Sequence, residues 1–477
     1  MKYAVLYLKI NPKETIKPII FSLVVSYLFL AWQLYDSKDV LYNHSLAIVS
    51  GDSAEYIASA NNIIINGLFY PNGKLPGYAL FLVPLFYFFK FNVALSLAVI
   101  IQTLFSAISV LFLSKLSFSL TNNTWVYNLV FYSYLLSSYV SVFNKSIYAD
   151  SLSISLLIIM MYYLIYGIQH NNLKLLFFSG ILFCVAVFLR PILIVFGVAF
   201  FIFSLIYFFN SKSKIIKYFL CFFIPFLVVD VCWISYNYNY YNDTHPLMSF
   251  KYYDKVSKNS YVIEEGKFIQ SWGGDCVWWE PNSDILFFGV NRIKAQKNIV
   301  LPNYIYTSKY NQDSLTKLKS DIAEYELNKS PKGLQAIKTK FINYKNNFEQ
   351  EKKMMHYAST FLIFKKFILN GYGAYNLFQK KFKDLPIYNK IIKLIFIGSY
   401  VLFGFIGFWI LCVYGISFFK KVELLHLLAF YVMGSVFVLC FIYRFSEYRY
   451  FAPYYPFTLI FTNIYLFKLI KKQIRVN

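Results

Sequence analysis

Apolar runs of helical length recur along almost the whole chain, separated by short polar turns and interrupted once by a long polar stretch. A helix that crosses a membrane needs about 20 predominantly apolar residues. About ten segments approach that length: 17–35, 93–114, 125–143, 151–168, 175–189, 192–209, 218–237, 391–417, 424–443 and 451–469. Residues 79–89 (ALFLVPLFYFF) are just as apolar but short, and Pro84 interrupts them, so they read as a re-entrant or interfacial piece. The pattern predicts an all-α polytopic membrane protein in three parts. Residues 1–237 form an N-terminal transmembrane module of about seven spans with a first outer loop at 36–92. Residues 238–390 form a hydrophilic insertion of mixed or helical structure, and 391–477 a C-terminal transmembrane module of about three spans.

The insertion has its own texture. Residues 238–310 are rich in Tyr, Asn, Trp and Gly, and 313–356 read as two lysine-rich helices broken at Ser330-Pro331. Residues 357–378, with Phe361, Ile363, Phe364, Phe367 and Ile368, are apolar enough to lie on a membrane surface. The Trp272-Gly273-Gly274 stretch reads as a tight turn bearing a packed indole, and no repeat of fixed period is visible.

Composition agrees with the pattern: 58% of residues are hydrophobic and only 14% charged, well below the roughly one quarter charged in soluble domains. The net charge of +23 raises nucleic acid as a partner. No finger, homeodomain or basic-zipper pattern accompanies it, and the lysines gather at the ends of apolar runs and in the insertion. A membrane surface and anionic lipid-linked substrates account for the charge, and no nucleic acid is expected. Five of the six cysteines lie in apolar runs and Cys276 stands alone, so neither a disulfide framework nor a zinc site is indicated. The first apolar run lacks a small-residue cleavage pattern after it and reads as a retained span.

Charge also sets the expected orientation. If 79–89 does not span, one side holds Lys2, Lys9, Lys13, Lys17, Lys115, Lys174, Lys212, Lys214, Lys217, Lys420, Lys421 and the lysines and arginine of the C-terminus. The other side holds only Lys38, Lys74, Lys90, Lys145, Arg190, Arg444 and Arg449 outside the insertion. The excess of positive charge on cytoplasmic loops then puts both termini in the cytoplasm of a bacterial cell and the 36–92 loop and 238–390 insertion on the outer, periplasmic face.

Four polar features fall on that expected outer face: GDSAEY (Gly51–Tyr56) before an amphipathic stretch, KLPGYALFLVP (Lys74–Pro84), SIYADS (Ser146–Ser151) and EYRYFAPYYP (Glu447–Pro456), with Arg444 just before the last. Each has a plain reading. Asp52 and Glu55 have the spacing of a capping box, and Asp150 is placed to cap the span that follows. Arg190, Arg444 and Arg449 suit interfacial anchors. Together, however, an acidic residue in the first outer loop, an amphipathic helix, a Pro-Gly-Tyr segment and a Tyr-Arg-Tyr-x-x-Pro-x-Tyr-Pro motif at Tyr448–Pro456 resemble the GT-C superfamily of membrane glycosyltransferases. The likeness is to the branch of protein O-mannosyltransferases and lipid A aminoarabinose transferases, over most of 15–237 and 391–470.

That resemblance implies a GT-C-like fold, a polyprenyl-phosphate sugar as donor, a lipid, glycan or protein as acceptor, and an active site on the outer face. It implies Asp52 as, or near, the general base and Asp150 as a second acidic residue. Arg449 would bind the donor phosphate, with Arg444 and Arg190 as further candidates; Glu55, Tyr56 and Tyr448 would support the site. The chain departs from the mannosyltransferase branch in lacking its tandem Asp-Glu and in reading Leu75-Pro76 where a Pro-Pro is frequent. No cofactor is indicated, although Asp52, Glu55 and Asp150 are of a type that can hold a divalent cation. Two other readings stand beside this one. A polysaccharide-repeat polymerase or ligase would lean on arginine pairs in its large loop, where only Arg292 occurs. A lipid or solute transporter or flippase would carry charge near the bilayer midplane, where Asp230 is the main exception to apolar spans.

Overall fold

The computed structural model describes residues 12–69, 74–247, 260–274, 302–369, 378, 380, 382–444 and 447–474. The described residues are helical, with one isolated bridge and no strand. In chain order the helices of ten residues or more are α1 (Pro12–Asp36), α2 (Ser53–Asn66), α3 (Gly77–Phe88), α4 (Phe91–Thr121), α5 (Thr124–Leu135), α6 (Ala149–Gln169), α7 (Leu173–Leu189), α8 (Ile194–Tyr207) and α9 (Lys212–Tyr241). They continue as α10 (Val262–Ser271), α11 (Gln312–Asn328), α12 (Pro331–Glu351), α13 (Lys353–Leu369), α14 (Ile387–Tyr400), α15 (Gly407–Ile416), α16 (Leu425–Phe437) and α17 (Tyr455–Ile474).

Among the described residues, seven helical stretches are long and apolar enough to cross a membrane: Ile16–Asp36, Phe91–Thr121, Thr124–Lys145, Ala149–Gln169, Lys212–Tyr241, Ile387–Phe419 and Leu425–Ile442. Helices α3 and α7, and the stretch Pro191–Tyr207 that contains α8, are apolar but shorter. The described residues thus form an all-helical structure with the apolar helices of a membrane protein. Pro84 lies inside α3 without ending it.

The chain divides into two compact units. The first comprises 1–249, 371–434 and 452–477, and the second 250–370 and 435–451. In the first unit α6 is the central helix, buried on nearly every side, and packs against α4 and α7. Close approach is bought with glycine at one crossing: a Cβ on Gly180 of α7 would stand 2.2 Å from the Phe222 carbonyl oxygen of α9. Phenylalanine rings of α7, α8 and α9, Phe183, Phe196, Phe200 and Phe222, fill the space around that crossing.

In the second unit α10, α11 and α12 enclose a core of Phe268, Ile269, Trp272, Leu318, Ile322, Ile337, Phe341 and Phe348. Ser330 caps α12 by accepting from the Gly333 N–H at 3.0 Å, with Pro331 in the first turn, so the helix break falls where a capping serine and a proline favour it. Trp272 is packed in this core and Gly273, at φ +80, turns the chain after it. The apolar residues of α13 divide between two faces. Ile363, Phe367 and Ile368 are buried, whereas Met354, Tyr357 and Phe361 are exposed.

Candidate functional site

Asp52 sits directly before α2, reached through Gly51 in the left-handed region (φ +51). The turn is held from outside: the Tyr148 hydroxyl donates to the Ser50 carbonyl at 2.9 Å and lies 3.0 Å from the Ser50 hydroxyl. A Cβ on Gly51 would come within 3.3 Å of that same hydroxyl. The capping-box reading of Asp52 and Glu55 does not hold, because the Asp52 side chain makes no capping hydrogen bond. Its carboxylate instead faces the Lys74 ammonium at 3.0 Å, and Glu55 approaches the same ammonium at 3.7 Å. A cation between two carboxylates three residues apart is a stronger partner than a backbone N–H.

This pair is accessible. The side chains of Asp52 and Lys74 are 24% and 27% exposed, and Glu55 is 41% exposed. Partial burial pushes the Glu55 carboxyl above its ordinary value; Lys74 opposes that shift and the Asp52 charge adds to it. Beneath them Tyr56 is buried edge-on against Tyr78, ring centres 4.8 Å apart, and Lys74 stands 5.9 Å over the Tyr56 ring. Tyr78 in turn donates to Gln102 of α4, whose amide donates to the carbonyls of Asn144 and Ser146 at 2.9 and 3.0 Å. The bridge between Ile48 and Ser146 closes the ring, with Ile48 N–H donating to the Lys145 carbonyl at 2.8 Å. Three of the four features noticed in the sequence, around Asp52, Lys74 and Tyr148, are therefore one connected structure in the first unit.

Asp150 lies in the first turn of α6, which begins at Ala149 with Tyr148 before it, so the residue does not cap the helix. Its carboxylate is ion-paired to Arg190, the residue that ends α7, and both side chains are less than one-tenth exposed. The start of α3 is pressed on the same place. A Cβ on Gly77 would stand 2.5 Å from the Phe188 carbonyl group, so only glycine lets Tyr78 enter beside this pair. Asp150 and Arg190 are thus committed to each other.

The fourth feature belongs to the second unit at its arginines. Arg444, itself in the left-handed region (φ +51), reaches across to α10 and α13. Its guanidinium donates to the carbonyls of Gln270 at 2.8 Å, Ser271 at 3.2 Å and His356 at 3.1 Å, and to the Thr360 hydroxyl at 2.9 Å. Ser359 accepts a further bond. Arg449 is ion-paired with Glu447, which is 1% exposed. The side chain of Tyr448 lies outside the described residues, as do Cys276 and Arg292.

Among the described residues, no three His, Cys, Asp or Glu side chains gather as a metal site would require. Asp52, Glu55 and Asp150 do not fit a divalent cation: the Lys74 ammonium stands between the first two, and Arg190 is bound to the third. Reading the sequence alone missed Lys74 as a site residue, although it lies in the same loop as Asp52. It also missed Gln102 and Tyr148; a glutamine inside an otherwise apolar run was the visible signal for the first. No protein-family model matches the chain, and no curated protein matches it.

Proposed function

We propose that the chain is a membrane glycosyltransferase that moves a sugar from a polyprenyl-phosphate donor to a lipid, glycan or protein acceptor, on the outer face of a bacterial plasma membrane. The observation that carries this reading is the accessible Asp52–Lys74 pair held on a rigid turn over a buried tyrosine–glutamine network. A carboxylate fixed in this way is suited to take the proton of an acceptor hydroxyl as its oxygen attacks the anomeric carbon. The bond from that carbon to the phosphate oxygen breaks, and the electron pair leaves with the phosphate, which needs no strong acid to depart. The neighbouring ammonium balances the charge that gathers on the phosphate. Glu55 holds Lys74 from its other side, and Tyr56 forms the floor. In this reading Asp150 and Arg190 act beneath the site as a buried brace.

The test is turnover by the purified chain in detergent, given polyprenyl-phosphate sugars and an acceptor extract, with polyprenyl phosphate release as the readout. Asp52→Asn keeps the size of the side chain but removes its basicity, so release should fall by ~10²–10⁴-fold while the melting temperature stays within a few degrees. Glu55→Gln should cost far less. Wild-type turnover by Asp52→Asn would remove the base assignment. Silence of the wild type over a broad donor panel, with solute movement in sealed vesicles, would favour the transporter.

A further inference from the structure

At the end of α6 remote from Asp150, the first unit holds an open cleft of about 520 Å³. At ~1.5 Å per residue, the length of α6 separates the cleft from the Asp150–Arg190 pair by roughly 30 Å, one hydrocarbon thickness. With the Asp150 end of α6 at one membrane interface, a cleft at that distance falls at the headgroup level of the opposite leaflet.

Its polar lining is amides, hydroxyls and one lysine. Asn171 follows α6, Asn210 and Ser211 form the turn between α8 and α9, and Lys214 lies in the first turn of α9. Tyr207 and Phe208 supply an aromatic wall. The Asn171 side-chain oxygen already accepts from the Tyr218 hydroxyl, which leaves its amide N–H groups as donors. No Asp or Glu occurs between Asp150 and Asp230, whereas Lys174, Lys212, Lys214 and Lys217 do. Glu423 adjoins the Leu424 edge of the cleft; its carboxylate pairs with the Tyr414 hydroxyl at 2.7 Å and Lys421 at 3.0 Å, and its charge also bears on Tyr207 of the lining. The amino end of α9, a 30-residue helix, adds its partial positive charge. Beside the cleft, Phe209 and Ile216 are 74% and 60% exposed, an apolar outer surface continuous with the polar hollow.

We propose that this cleft seats the phosphate of an anionic phospholipid, with its acyl chains along the exposed apolar sides of α8 and α9. Lys214 and the Asn171 and Asn210 amides hold the phosphate oxygens, and Tyr207 and Phe208 flank the glycerol region at the depth where aromatic residues concentrate. The site does not depend on the transferase reading, since it needs only the fold and the apolar helices around it.

Native mass spectrometry of the purified full chain, supplemented with phosphatidylglycerol or phosphatidylcholine, tests this. Phosphatidylglycerol should be retained through detergent activation and phosphatidylcholine lost. Lys214→Ala should lower phosphatidylglycerol occupancy about tenfold, the scale of one charge-assisted hydrogen bond. Asn210→Asp, which sets a like charge against the phosphate, should do the same, and Lys420→Ala, a lysine not lining the cleft, should change little. Equal retention of the two lipids, or equal effects of Lys214→Ala and Lys420→Ala, would overturn the site. Displacement of the lipid by millimolar inorganic phosphate would overturn the lipid as ligand and assign the cleft to a soluble phosphate compound.

Discussion

Individual residues in this chain do different work from what their type alone suggests. Arg444 was a candidate for donor phosphate, but its guanidinium is spent on carbonyls and hydroxyls of α10 and α13. A lysine has one ammonium where arginine has a planar fork, so Arg444→Lys cannot reach both helices at once. With several charge-assisted bonds lost, that variant should destabilise the second unit by about 3 kcal/mol, seen as earlier proteolysis between 260 and 370. The same contact sets a pH dependence. The His356 ring donates from Nδ1 to the Ser271 carbonyl at 2.7 Å. Burial lowers the His356 pKa from 6.5; the Ser271 carbonyl opposes that shift, and the Arg444 charge reinforces it. A histidine depressed by folding favours the folded state above its unfolded pKa. Stability of the second unit should therefore decline as pH falls below about 6.5, and His356→Gln should flatten the decline. In the first unit, Asp150→Asn would leave Arg190 buried without its counter-charge, at a cost of about 3–5 kcal/mol. A melting temperature unchanged from wild type would show that the pair is not a brace.

At the level of elements, the hydrophobic pattern was the most legible part of the chain. Most of the apolar runs noticed in the sequence fall on helices, because continuous apolar stretches have no other way to satisfy their backbone groups out of water. The run at 125–143 leaves α5 at Leu135, and seven stretches among the described residues, against the ten expected, have the length and apolarity of a span. The Ser330-Pro331 break was equally legible, since capping chemistry is local. Partners across the chain were not legible. Nothing in GDSAEY announces that its aspartate will turn from the helix start toward Lys74, or that Tyr148 will hold the turn from the far side of α4 and α5. Nor did the apolar run in α13 reveal that Ile363 and Phe367 face inward while Tyr357 and Phe361 face out, a division that only tertiary packing decides. Glycines at helix crossings belong to the same class. Gly180 occupies a crossing with no room for any side chain, so Gly180→Val should force α7 and α9 apart and lower the melting temperature sharply. Gly398, whose surroundings are open, should accept alanine with little change.

For the whole molecule, sidedness decides whether the proposed chemistry is reachable by a lipid-linked donor presented outside the cell. Lys174, Lys212, Lys214 and Lys217 lie at one end of α6–α9, and Asp150, Arg190 and the Asp52–Lys74 loop lie at the other, so the first unit is basic at one end and carries its acid–base pairs at the opposite one. The proposed reading takes the lysine-rich end as cytoplasmic and the Asp52 end as outer, because positive charge in short loops is retained in the cytoplasm during insertion. That sidedness rests on residues 79–89 not spanning, as the distribution of lysine and arginine between short loops favours. Single cysteines at Asn66 and Ser330 should react with a membrane-impermeant thiol reagent in intact spheroplasts, whereas one at Lys420 should react only after lysis. Replacing Lys212, Lys214 and Lys217 together by glutamine should raise the share of molecules labelled at position 420, because it removes part of the charge that holds that end inside. Labelling at 420 in intact cells with protection at 66 would reverse the molecule. The Asp52 site would then face the cytoplasm, where nucleotide-linked sugars are made, and the proposed lipid-linked donor would lose its rationale.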